Sequence, residues 1–80
     1  MISWYAPQAN AMAFCIALDA LRMDGASVTI LPDNEEAESV GTQCAVDCIG
    51  PWTNWEERRF FGSNPYEAII AAGRAQALLR

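Results

Sequence analysis

The sequence predicts an α+β domain in the order α-β-β-β-α, a three-stranded antiparallel sheet with two helices on one face. Three observations carry this. The alanine-rich N-terminal third repeats apolar residues at three- and four-residue steps. The middle holds β-branched or alternating runs separated by turn residues, and the last third opens on a helix-start signal, Asn64-Pro65-Tyr66-Glu67. The 80 residues form one domain, 1–80, and a hydrophobic share of 52% is too high for disorder.

Pro7 suits the first position of a helix and Gly25, directly after Asp24, the left-handed residue that closes one, so the first helix is expected over 7–24. Its apolar stripe is Ala11, Phe14, Cys15, Leu18 and Leu21, with Asn10, Asp19 and Arg22 away from it. The first strand is expected over 26–31, with Val28 and Ile30 on the face of Ala26. Residues 32–39 combine turn formers with four carboxylates and read as an exposed loop, compatible with one helical turn. A second strand over 40–49 puts Thr42, Cys44, Val46 and Cys48 on one face, and Gly50-Pro51 stops it.

The third strand is expected over 55–61, with Trp55, Glu57, Arg59 and Phe61 on one side, although Glu56-Glu57-Arg58-Arg59 also suits a short helix. In the last helix Asn64 is the N-cap, Pro65 occupies N1 and Glu67 N3. That helix runs to about Leu79, and Tyr66, Ile69, Ile70, Gly73, Ala77 and Leu78 are its expected buried stripe.

Charge is distributed unevenly. Asp19, Asp24, Asp33, Glu35, Glu36, Glu38, Asp47, Glu56 and Glu57 stand against Arg22 alone, a stretch of net minus eight. Arg58, Arg59, Arg74 and Arg80 against Glu67 make the remainder plus three, for a total of −5. A field of this kind selects partners with basic surfaces. Its densest part is Asp33, Glu35, Glu36 and Glu38 with Asp47 on the adjoining strand, while Glu56 and Glu57 are expected to be answered by Arg58 and Arg59. Trp4, Tyr5, Trp52, Trp55, Phe60 and Phe61 cluster at the N-terminus and around the third strand. A sheet covered on one face cannot bury both Trp55 and Phe60 in the same layer. Trp52, Trp55, Arg58 and Arg59 are therefore expected to form a contact patch of residue types enriched at binding hot spots.

The chain has no histidine and no lysine, the side chains most often tuned for acid–base work, so an enzyme is not expected. Cys15, Cys44 and Cys48 sit in no nucleophile motif and read as small buried hydrophobes. Cys44 and Cys48 lack the further ligands a zinc site needs, and Asp33-Asn34-Glu35-Glu36 lacks the alternation and glycine of a calcium loop, so no metal or cofactor is expected. A glycosidase-type carboxylate pair would need a walled cleft. Pro7, Gln8 and Asn10 interrupt the uncharged start well short of the roughly 20 residues of a membrane span, and an odd cysteine count suits reduced thiols in a cytoplasm.

The helix, three strands, helix order resembles double-stranded RNA-binding domains. Their second helix opens on lysines, whereas Ser63-Asn64-Pro65-Tyr66-Glu67 carries no cation, so direct nucleic-acid binding is not expected. The run Asn64-Pro65-Tyr66-Glu67-Ala68-Ile69-Ile70-Ala71-Ala72 is similar to the last helix of small phage and prophage accessory proteins. In size, acidity and layout the chain resembles the anti-CRISPR inhibitors among them. That resemblance implies a non-enzymatic phage protein in the host cytoplasm, acting as a DNA mimic that blocks a basic groove of a host protein or nucleoprotein complex. The alternative expectation is a self-associating structural or assembly module of phage origin, a homodimer formed through the outer sheet face around Trp55.

Overall fold

The computed structural model describes residues 8–79, with side chains from residue 11 onward. The expected elements at Pro7, Trp4 and Tyr5 lie outside the described residues. Helix α1 (Gln8–Leu21) leads through a 3-10 turn (Met23–Gly25) into strand β1 (Ser27–Leu31). A short helix α2 (Glu35–Ser39), strand β2 (Cys44–Ile49), a second 3-10 turn (Pro51–Thr53), strand β3 (Arg58–Gly62) and helix α3 (Pro65–Leu79) follow. The strands form one antiparallel sheet in the order β1-β2-β3, as expected from the sequence.

Two left-handed residues, Asp24 (φ 60°) and Gly25 (φ 80°), turn the chain out of α1. The glycine has the role the sequence assigned to it, and the regular helix ends three residues before Asp24 because the 3-10 turn takes up the difference. The acidic connection is a capped helix rather than open loop. Asn34 Oδ1 accepts a hydrogen bond from the Ala37 amide at 3.0 Å, and the Thr42 hydroxyl donates to the Ala37 carbonyl at 2.9 Å. Val40 and Gly41 (φ 87°) close that helix, so β2 begins at Cys44 and not at residue 40.

In register, Ile30 faces Val46 and Val46 faces Phe60; on the other side of the sheet Thr29 faces Asp47 and Asp47 faces Arg59. The inner face carries Val28, Ile30, Val46, Cys48 and Phe60, and α3 lies on it across β2 and β3. Helix α1 packs against α3 and supplies Leu21, fully buried, with Phe14, Ala17 and Leu18 around it. These four positions follow a single line at helical spacing. Cys15 sits one step round the helix and is exposed, a correction to the expected stripe and to its reading as a buried thiol.

Helix α3 starts as its sequence signal requires, with Asn64 Oδ1 accepting from the Glu67 amide at 2.9 Å. Its buried face is Ala68, Ile69, Ala72 and Gln76. The expected stripe is therefore rotated: Leu78 is 87% exposed, Ala77 is exposed, and Tyr66, Ile70 and Gly73 are half-buried. The reason lies in close backbone approach. A Cβ on Gly62 would collide with the backbone of Glu67 and Ala68, so the helix is seated on its alanines against β3. Gln76 belongs in the buried face because its Nε2 donates to the Ala20 carbonyl at 2.9 Å, one of the carbonyls that α1 leaves unpaired at its C-terminus. The Trp52 indole donates to the next such carbonyl, that of Leu21, at 3.0 Å, and its ring stacks on Phe60 with centroids 6.1 Å apart.

The two glycines at the ends of this packing respond oppositely to a methyl group. Gly62→Ala is expected to cost several kcal/mol, on the order of 3, because rigid backbone must move. Gly73→Ala, whose Cβ meets nothing within 4 Å, is expected to add about 0.5–1 kcal/mol through helix propensity. Urea unfolding followed by circular dichroism checks both.

Candidate protein-interaction surface

Three strand and helix positions meet on the outer face of the sheet. Arg59 Nε and NH2 donate to Asp47 Oδ1 and Oδ2 at 2.6 and 2.8 Å, a bidentate pair across β2 and β3. NH1 of the same guanidinium reaches Glu36 Oε1 of α2 at 3.0 Å. These hydrogen bonds, to Asp47 first and then to Glu36, hold the Arg59 guanidinium further above its usual range. Asp47 is 12% exposed and Arg59 33%, so α2 and the arginine close over part of the outer face. Ala45, fully buried, lies in register between Leu31 and Phe61 on that same side.

Of the expected acidic contact residues, two are ion-paired within the chain. Asp47 and Glu36 are answered by Arg59, and the expected pairing of Arg59 with Glu56 or Glu57 is corrected accordingly. Arg58 takes Glu56 at 3.7 Å, with both side chains exposed. Asp33, Glu35 and Glu38 remain exposed, and no ion pair to them is found among the described residues. Asp33 is steadied by a neutral donor, Gln43 Nε2 at 3.0 Å, which leaves its charge intact. Glu35 and Glu38, three apart on a helix, present carboxylates about 5–6 Å from one another at the Cβ level.

The aromatic residues are not gathered with them. Helix α2 joins β1 to β2 at one end of the sheet, and the turn that carries Trp52 and Trp55 joins β2 to β3 at the other, roughly 17–20 Å away along a six-residue strand. Trp52 is half-buried against Phe60, so most of its contact area belongs to the core. Trp55 is 63% exposed and lies before β3, in a pair of consecutive left-handed residues, Asn54 (φ 60°) and Trp55 (φ 61°). The expected third strand over 55–61 is shortened by that turn, and the shared face retains only Arg59 and Phe61.

A lock that the sequence reading did not single out explains the turn. The Thr53 hydroxyl accepts from the Gly50 amide at 2.9 Å and donates to the Gly50 carbonyl at 3.0 Å, and the Trp55 amide donates to the same carbonyl at 2.8 Å. Gly50 cannot carry a Cβ because Ala26 occupies that space. The signal was present in Gly50-Pro51-Trp52-Thr53, a proline-started turn with a hydroxyl three residues after its glycine. A left-handed tryptophan is sterically disfavoured, and the lock maintains it.

Burial, followed by the charge of Asp47, pushes the Cys48 thiol up to about 11, and burial followed by Asp33 raises that of Cys44. Both sulfurs face inward on β2, about 13 Å apart by strand rise, too far for a shared ligand or a disulfide. Among the described residues no three of Cys, Asp and Glu gather as metal ligands would. Among the described residues, no helix is long and apolar enough to cross a membrane. No known protein family, no curated protein and no solved structure matches the chain.

Two outcomes follow for stability. The folded state holds Cys48 protonated above the ordinary thiol value of 9.0, so its contribution is complete below about pH 9 and is lost as the pH rises towards 11. Urea midpoints measured across that range should fall for the parent chain and fall less steeply for Cys48→Ala. Trp55→Gly relieves the left-handed strain and is expected to raise stability by about 1 kcal/mol in the same measurement.

Proposed function

We propose that the chain is a non-enzymatic inhibitory binding protein of the phage-encoded, anti-CRISPR kind. It acts in the host cytoplasm by laying an acidic surface on a basic nucleic-acid-binding groove of a host defence complex. One observation supports this most: Asp33, Glu35 and Glu38 stand exposed on a capped helix and its entry turn, with Arg59 withdrawn to Asp47 and Glu36. Carboxylates a few ångströms apart on a rigid support approach the charge density of a phosphate backbone, one charge per roughly 3.4 Å of each strand. Glu36 and Asp47 act here by anchoring the support. Trp55 and Arg58, at the opposite end, offer separate contact area, and Trp52 acts through the core.

The alternative module, self-associating through the outer sheet face around Trp55, has less behind it. Helix α2 and Arg59 close part of that face, and Trp55 lies beyond the strand end.

Affinity capture from bacterial lysate at low and high salt, followed by titration of the captured partner, tests the reading. Binding is expected to weaken at least tenfold with Glu35→Lys plus Glu38→Lys, to weaken with added salt, and to compete with duplex DNA. A partner indifferent to all three would overturn it.

A further inference from the structure

We infer that the free edge of β1 pairs with the β1 of a second copy of this chain, joining the two sheets into one of six strands. The inference does not depend on the inhibitor reading. Strand β1 hydrogen-bonds β2 on one side, and no other described helix or strand runs along its far side. An edge of this kind presents alternate backbone amides and carbonyls for pairing, and natural sheets usually blunt it with charge, proline or a covering element.

The other edge strand has such protection. β3 begins at Arg58 and Arg59, and α3 packs closely on its end at Gly62. Ser27-Val28-Thr29-Ile30-Leu31 has neither charge nor proline. Its inner-face residues Val28 and Ile30 are half-buried, whereas their partners Cys48 and Val46 on β2 are fully buried.

The strand is also complementary to itself. Antiparallel pairing about Thr29 sets Val28 beside Ile30 of the second copy, Thr29 beside Thr29 and Ser27 beside Leu31. Core-facing residues then meet core-facing residues and no charges are opposed. Asp24 and Asp33 flank the seam, and each copy carries −5, so the pairing should tighten as salt screens repulsion, opposite in sign to capture of a basic partner. A five-residue seam makes the dimer a weak one.

Sedimentation equilibrium over a concentration series, at low and high salt, is the test. The expected result is a mass rising from 8.8 kDa towards twice that value, more readily at high salt, and remaining monomeric for Thr29→Lys, an exposed position facing Asp47 within the same sheet. If Thr29→Lys fails to fold by circular dichroism, oxidative cross-linking decides instead. Cys15→Ser plus Thr29→Cys should trap a disulfide-linked dimer, because directly opposed residues bring their Cα atoms within about 5.5 Å, and Cys15→Ser plus Val40→Cys should not. A monomer at every concentration up to about millimolar, a dimer that persists in folded Thr29→Lys, or equal cross-linking of both cysteine variants would each overturn the inference.

Discussion

The C-terminal end of α1 is the constraint on which the rest of the structure depends. A helix leaves its last carbonyls without partners, and burying them unpaired costs about 1–3 kcal/mol apiece. Here Trp52 takes the carbonyl of Leu21 and Gln76 that of Ala20, donors that lie 31 and 56 residues away in sequence. Once both bonds are made, Leu21 is sealed in the core, Trp52 is pressed on Phe60, and α3 is held in the rotation that buries Gln76. A domain of this size buries only about two-thirds of its unfolded surface, so two such closures are a large fraction of its margin.

Electrostatics follows the same economy of few, well-placed groups. Five arginines face ten carboxylates, and among the described residues the arginine with bidentate geometry is given to the outer sheet face. Its grip on Asp47 and Glu36 fastens α2 to the sheet, and among the described residues no cation is paired with Asp33, Glu35 or Glu38. The net charge of the acidic stretch therefore overstates the surface a partner would meet. What remains is small, local and carried by a helix whose ends are capped by Asn34 and closed by Gly41.

The molecule is asymmetric in its finish as well as its charge. The β3 side is covered by α3 and guarded by arginine, and the turn that precedes it is locked by Thr53. The β1 side is short of partners, with half-buried valine and isoleucine on a strand that carries no charge. Unequal edges arise naturally when a single pair of helices must cover three strands, since α3 can span only two of them.

By itself the sequence determined the kinds of element and their order, because those depend on neighbours a few residues apart. The Asn64 cap, the left-handed Gly25 and the alternation of Cys44, Val46 and Cys48 are legible for that reason. The acidic patch could also be located, since charge that is not paired in the fold looks the same in sequence. Tertiary structure decided the rotation of α3, the exposure of Cys15, the start of β3 and the partners of Arg59. The rotation of α3 and the partners of Arg59 were settled by contacts across the fold: Gly62 against the α3 backbone, the Trp52 and Gln76 bonds to α1, and Asp47 opposite Arg59. The start of β3 was set by the locked turn over residues 50–55. Local pattern says which residues prefer to be buried, and only long-range hydrogen bonding and close packing choose among faces that are nearly equal in hydrophobicity.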